Sequence, residues 1–128
     1  MTPSKSIPSA VAAPAEPLFD ATVLGAMFGN EPALIASVLQ TFVAGTQANL
    51  AGLDHALAGQ DLSAIAALAH KIAGASRMSG ALAMGGCAHR VEQFAKQGDG
   101  AALAQELAKL VHLWTQTLTA MAAPTAAP

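Results

Sequence analysis

The chain has no tyrosine, one tryptophan, one cysteine and few charges, with only 11% of its 128 residues being Asp, Glu, Lys or Arg. Each shortage excludes something. A single Cys87 forms no internal disulfide, so no cross-linked scaffold is available and a reducing compartment suits the chain. Six basic residues against eight acidic ones leave a formal net charge of −2. There is no basic run, and no aromatic residues interleave with Lys or Arg, which argues against nucleic-acid binding. No apolar stretch reaches membrane-spanning length without a Gly, polar or charged interruption. The N-terminus lacks a basic region followed by an apolar one, so it does not read as a signal peptide. No P-loop, Gly-rich nucleotide loop or Ser/His/Asp set placed by a recognisable motif is present, which argues against an autonomous enzyme.

What remains is 53% hydrophobic and rich in alanine, the best helix former. The length fits one domain with one core. Residues 1–17 hold Pro3, Pro8, Pro14 and Pro17 among Ser and Ala, a linker composition, and residues 123–128 read as a loose tail. Residues 18–122 carry the predicted domain.

Asp20 is placed to cap a short helix ending near Phe28, where Gly29-Asn30 breaks it. A long helix then starts at Asn30 or Glu31, with Pro32 in its first turn and Ile35, Val38, Leu39, Phe42, Val43, Leu50, Leu53 and Leu57 at helical spacing. Gly59 ends it. Asp61 caps a third segment, punctuated by Ser79-Gly80. A fourth runs from about Ala81 to Gln97, with Leu82, Cys87, Val91 and Phe94 inward. After Gly98-Asp99-Gly100, Leu103, Leu107, Leu110, Val111, Trp114, Leu118 and Met121 form the last stripe. Four long amphipathic helices joined by short loops predict an all-α, antiparallel up-and-down four-helix bundle preceded by a short N-terminal helix.

One histidine stands out. A helix turns about 100° per residue, which sets Ile65, Leu68, Ile72, Ala75 and Ser79 roughly opposite His70. His70 is therefore expected in solvent, with Ser63, Ala66, Ala67, Ala73, Gly74 and Arg77 around it. Five of these six are small where an exposed face usually carries long polar side chains. Gly74 costs a helix about 1 kcal/mol relative to Ala and leaves its backbone open to close approach. Gly85 and Gly86 read as aids to tight helix packing. An exposed imidazole with room around it can act as a nucleophile toward phosphorus. Phosphoryl transfer needs positioning and charge neutralisation, and Lys71 or Arg77 could supply the positive charge.

Ala69-His70-x-Ile72-x-Gly74, followed by Gly80-Ala81 and Val91-Glu92, resembles the histidine-containing phosphotransfer (HPt) domain, whose usual pattern is Ala-His-x-Leu-Lys-Gly, then Gly-Ala, then Leu-Glu. The similarity takes in Phe19-Asp20, Glu31-Pro32 and Gly98-Asp99. The resemblance implies a four-helix bundle with the phosphoacceptor at His70. It implies relay between receiver-domain aspartates of a hybrid sensor kinase and a response regulator, with Mg²⁺ on the partner receiver and no cofactor on this chain. It also implies a phosphocarrier without kinase or nucleotide site. The chain departs from the pattern where the family commonly has Lys, three residues after the histidine; here Ala73 stands there. The implied location is the cytoplasm, as a free protein or as the cytoplasmic C-terminal part of a membrane-bound sensor kinase, which the proline-rich segment 1–17 would suit.

Two other readings compete. The chain could be a helical interaction module without the relay. It could also be a His-based metal-binding bundle, since it holds four histidines. The second is weak, because Ala66, Ala73 and Gly74 beside His70 are not ligands and no paired Glu-x-x-His pattern exists. His55, His89 and His112 are expected at the surface or its boundary, and Cys87 between helices.

Overall fold

Three aspartates decide where helices begin. The structure is a computed structural model that describes residues 16–122. It contains α1 (Ala21–Phe28), α2 (Pro32–Ala58), α3 (Leu62–Met78), α4 (Leu82–Gln97) and α5 (Gly100–Ala122), with no strand among the described residues. Asp20 accepts from the backbone N–H of Thr22 at 3.0 Å, Asp61 from Ala64 at 3.0 Å and Asp99 from Ala102 at 3.1 Å. These bonds satisfy first-turn donors that lack intrahelical partners. α2 has no side-chain cap and starts on Pro32, whose missing N–H is not needed there. Gly59 and Gly98 end α2 and α4.

Consecutive long helices pack on one another, α2 on α3, α3 on α4 and α4 on α5. The fourth seam, α5 against α2, closes the bundle. It is spanned by large side chains: Phe42 and Trp114 meet edge to face with ring centroids 5.6 Å apart. Such a pair adds about 0.5–1.5 kcal/mol beyond its area burial. The α3–α4 seam is built the other way. Ala66, Ala69, Ala73 and Ser76 are buried on α3, and Gly85, Ala88 and Ala95 on α4, with Ala81 buried just before it. Small residues on both sides let the two backbones approach closely. Buried Ser76 and Thr46 find no partner for their hydroxyls among the described residues, a cost of about 1–3 kcal/mol each that the packing must offset.

The expected core positions are buried or half-buried, with three exceptions: Val111 is 57% exposed, Leu57 46%, and Leu62, expected on the inner stripe of α3, 39%. On α5 the buried stripe is Leu103, Glu106, Leu110, Trp114 and Thr117, so Val111 falls just beyond it. Glu106 and Thr117 hold core positions that hydrophobic periodicity passes over. Thr117 donates to the Leu113 carbonyl, and Glu106 accepts from Arg90 Nε at 2.8 Å, tying α4 to α5. Burial works against ionising Glu106, but that bond and the charges of Arg90 and Lys109 outweigh it and hold the carboxyl below its usual range. Cys87 lies between helices as expected, and burial pushes its thiol up to about 12.

α1 lies across the end of the bundle, bent by 114° from α2, with Leu24 fully buried. It is fastened at the α3–α4 turn, where the Asp20 N–H donates to the Gly80 carbonyl at 2.8 Å. Gly80 has φ 85°, and a Cβ there would collide with the Asp20 carbonyl oxygen. Of the expected linker only Glu16 and Pro17 are described, and the Pro17 carbonyl accepts from Ala83 at 2.9 Å. The rest of that segment and the tail at 123–128 lie outside the described residues. No single described helix is long and apolar enough to cross a membrane.

Two stability predictions follow from these contacts. Gly80→Ala combines a strained backbone with a clash and should cost about 1–3 kcal/mol, whereas Gly74→Ala, whose Cβ meets nothing within 4 Å, should gain up to about 1 kcal/mol. Thermal unfolding of the two variants should move in opposite directions. Glu106→Gln should lower stability at neutral pH. A carboxyl held below its unfolded value stabilises above that value and loses the effect as pH falls through its folded value. The gap to wild type in chemical denaturation should therefore close in acid.

Candidate functional site

His70 sits in the third turn of α3 with its side chain 75% exposed. Its position on the helix differs from the expectation. The buried residues of α3 are Ile65, Ala66, Ala69, Ile72, Ala73 and Ser76. At 100° per residue this set centres about 100° from His70, not 180°. The imidazole therefore stands on the shoulder of α3, at the edge of its seam with α4. Ala66 and Ala73, expected on the open face, are 8% and 3% exposed and face the seam. The reason lies in their size: an alanine fits an exposed face and a close seam equally well. Leu68 and Ala75, expected in the core, are half-buried on the opposite flank.

The shoulder position brings His70 to a partner on α4. His70 Nδ1 lies 3.2 Å from Glu92 Oε1. An ionised carboxylate only accepts, so the proton of this bond is on Nδ1. In the neutral ring that tautomer leaves the lone pair on Nε2, on the far side of the ring from Glu92. Glu92 is itself 6% exposed, and its second oxygen accepts from Lys96 Nζ at 2.8 Å. The Lys96 hydrogen bond, followed by that of His70, holds the Glu92 carboxyl below its ordinary range against the cost of burial. Glu92 is thus an anion at neutral pH that orients an imidazole with one oxygen and grips an ammonium with the other.

Beside this triad runs an open groove of about 870 Å³ between α3 and α4. Leu62, Ser63, Ala66 and Ala67 form its α3 wall, and Ala95 and Lys96 stand on α4. Ser63, Ala67 and Lys71 are exposed around His70 as expected, and Lys71 also borders the groove. Gly74 is exposed one turn further on, with open space where its Cβ would be. Arg77 is exposed but lies away from the groove. Its stem runs over Gly85, where an added Cβ would come within 2.8 Å of Arg77 Cγ. Gly85 thus serves helix packing as expected. Gly86 does not, because the atoms above it belong to Glu16.

Glu92 and Lys96 are the site residues that sequence reasoning missed. Glu92 was visible as the second residue of Val91-Glu92, and Lys96 as its i+4 partner, but only the tertiary register joins them to His70. His55, His89 and His112 are exposed. Among the described residues no three His, Cys, Asp or Glu side chains gather as a metal site would require.

No curated protein and no solved structure matches the chain. The family model of the Hpt domain matches residues 37–123, which leaves out α1 and the first turn of α2 but takes in all of α3, α4 and α5. With more than half of its length matched, and with an exposed histidine in the middle of a bundle helix, the chain belongs to the Hpt domain family of phosphocarrier modules that carry histidine phosphotransfer in phosphorelays.

Proposed function

We propose that His70 accepts a phosphoryl group from a receiver-domain aspartate and passes it to the receiver domain of a response regulator. The observation that carries this reading is the His70–Glu92 bond at the mouth of an open groove. It fixes the tautomer that presents Nε2 as nucleophile, and it leaves that nitrogen accessible from solvent.

The step is a transfer between two nucleophiles. The Nε2 lone pair attacks phosphorus of the aspartyl phosphate, an N–P bond forms, and the bond from phosphorus to the aspartyl oxygen breaks. The carboxylate leaves with the electron pair. The imidazole, neutral before attack, becomes a phosphorylated imidazolium that keeps its Nδ1 proton. The Glu92 carboxylate, already bonded to that proton, offsets the new ring charge. The reverse reaction runs through the same geometry, so the carrier can load and unload. Catalytic Mg²⁺ and the acceptor carboxylate come from the partner, and this chain needs no nucleotide site of its own. Receiver domains of a hybrid sensor kinase and of its response regulator are the partners proposed to supply this chemistry, with the cytoplasm as the compartment proposed for the domain.

Docking uses the low relief around His70. Ser63, Ala67 and Gly74 present no long side chain, so a receiver can bring its phosphorylated aspartate up to Nε2. Lys71, exposed on the crest of α3, stands where it can meet an acidic rim.

His70→Gln should abolish acid-labile, base-stable label after incubation with a phosphorylated receiver, while helix content stays at the wild-type level. Label retained in that variant would move the site elsewhere. Gly74→Gln should leave thermal stability within about 1 kcal/mol of wild type yet weaken receiver binding by about tenfold or more, since truncating or blocking one well-placed contact is worth that much. Titration by calorimetry decides; equal affinity would show that the partner does not approach Gly74.

A further inference from the structure

We propose that Lys96, rather than Lys71 or Arg77, is the cation that binds the phosphoryl group carried by His70, reaching it from α4 across the groove. The proposal rests on His70 being the phosphorylated residue. It addresses the gap at position 73, where Ala73 stands in place of a cation.

The register of the seam supports it. His70 on α3 faces Glu92 on α4, and seven residues further along α3, Arg77 faces Gly85, seven residues back along α4. One antiparallel register therefore serves the whole seam, and it sets Lys96 level with Ala66. Side chains on a helix lean toward its N-terminus. His70 leans toward the level of Ala66, and Lys96 leans back toward Glu92, so the two converge on the same stretch of groove. Glu92 accepts from both, so its one carboxylate holds the ammonium close to the ring.

Chemistry supports it too. An ammonium has three donors. One holds Glu92 at 2.8 Å, and the others have no acceptor in an ion pair among the described residues. The Lys96 side chain is 58% exposed, so its head can turn outward on its flexible stem without unpacking anything. Lys71 borders the groove but forms no ion pair among the described residues, and it points about 100° round α3 from His70. Arg77 is two turns away with its stem against Gly85. The charged and titratable groups that face the groove are His70 and Lys71 from α3 and Glu92 and Lys96 from α4.

The experiment is a ³¹P NMR titration of the intact protein phosphorylated with phosphoramidate. In that reaction Nε2 bonds to phosphorus, the P–N bond of the reagent breaks and ammonia leaves. A cation on the phosphoryl group favours its dianion. Lys96→Ala should therefore raise the ionisation midpoint of the phosphohistidine by about one pH unit, a tenfold change in proton affinity of the size a charge-assisted hydrogen bond confers. Lys96→Arg should restore the wild-type midpoint, and Lys71→Ala should leave it in place. In a Glu92→Gln background Lys96→Ala should still raise the midpoint, because the ammonium acts on the phosphate and not only by balancing Glu92. An unchanged midpoint in Lys96→Ala, in either background, overturns the proposal, as does an equal shift in Lys71→Ala. If the wild-type protein yields no His70-dependent phosphohistidine signal, the reading of His70 falls and this proposal falls with it.

Discussion

The close approach of α3 and α4 is the constraint on which the rest of the structure depends. Side chains no larger than Ala or Ser at positions 66, 69, 73 and 76, met by Ala81, Gly85, Ala88 and Ala95, set the spacing of the two helices. A carboxylate on a short three-bond stem can reach the ring of His70 only because the backbones are this near. The same approach covers Glu92, so that a single acidic residue on a helix surface becomes a nearly buried anion. Ala73, which stands where the family pattern carries a lysine, belongs to that seam and is 3% exposed. Position 73 in this chain contributes to helix spacing and leaves charge to other residues.

The bundle balances one narrow seam against one wide one. α2 and α5 meet through Phe42 and Trp114, and the large rings fill the space that the small residues of the opposite seam do not need. Apolar packing on that side carries stability, while the α3–α4 side holds the polar site. The glycine within α3 and the glycine just after it do unrelated things. Gly80 makes a turn in the left-handed region against the Asp20 carbonyl and is structural. A Cβ on Gly74 would meet nothing within 4 Å among the described residues, so this glycine costs helix stability without a packing role, as the docking proposed for it requires.

Helix limits were legible in the sequence because the signals are local. Asp20, Asp61 and Asp99 bond donors two or three residues away, and Gly59 and Gly98 stop helices where they stand. His70 was legible as exposed for a similar reason, since polarity and the spacing of Ile65 and Ile72 sufficed. The orientation of α3 was not. Alanine carries almost no information about which way it faces, and this helix has six of them. Weighting the large residues Leu68 and Ile72 turned the inferred core away from Ala66 and Ala73, toward which it actually points. Glu92 and Lys96 were hidden for a different reason. Their bond to His70 spans 22 residues of sequence and exists only in one register of two helices. On α5, Glu106 interrupts the apolar stripe because Arg90 satisfies it, a compensation that no periodicity reveals.

The arrangement answers an electrostatic problem that a lone histidine would not have. In the proposed transfer, a carboxylate beside the imidazole fixes its tautomer and steadies the positive ring that would form on attack, but it also opposes the arriving phosphoryl group. Two unit charges about 4 Å apart near a protein surface interact by about 4 kcal/mol, enough to slow transfer severely if left unbalanced. Lys96 at 2.8 Å makes the Glu92–Lys96 pair formally neutral while leaving both Glu92 oxygens in use. The imidazole is oriented without net negative charge in the groove. With only 14 formally charged side chains in the chain, two of them stand one helical turn apart on α4 within reach of His70, which among the described histidines is the one that forms a side-chain bond.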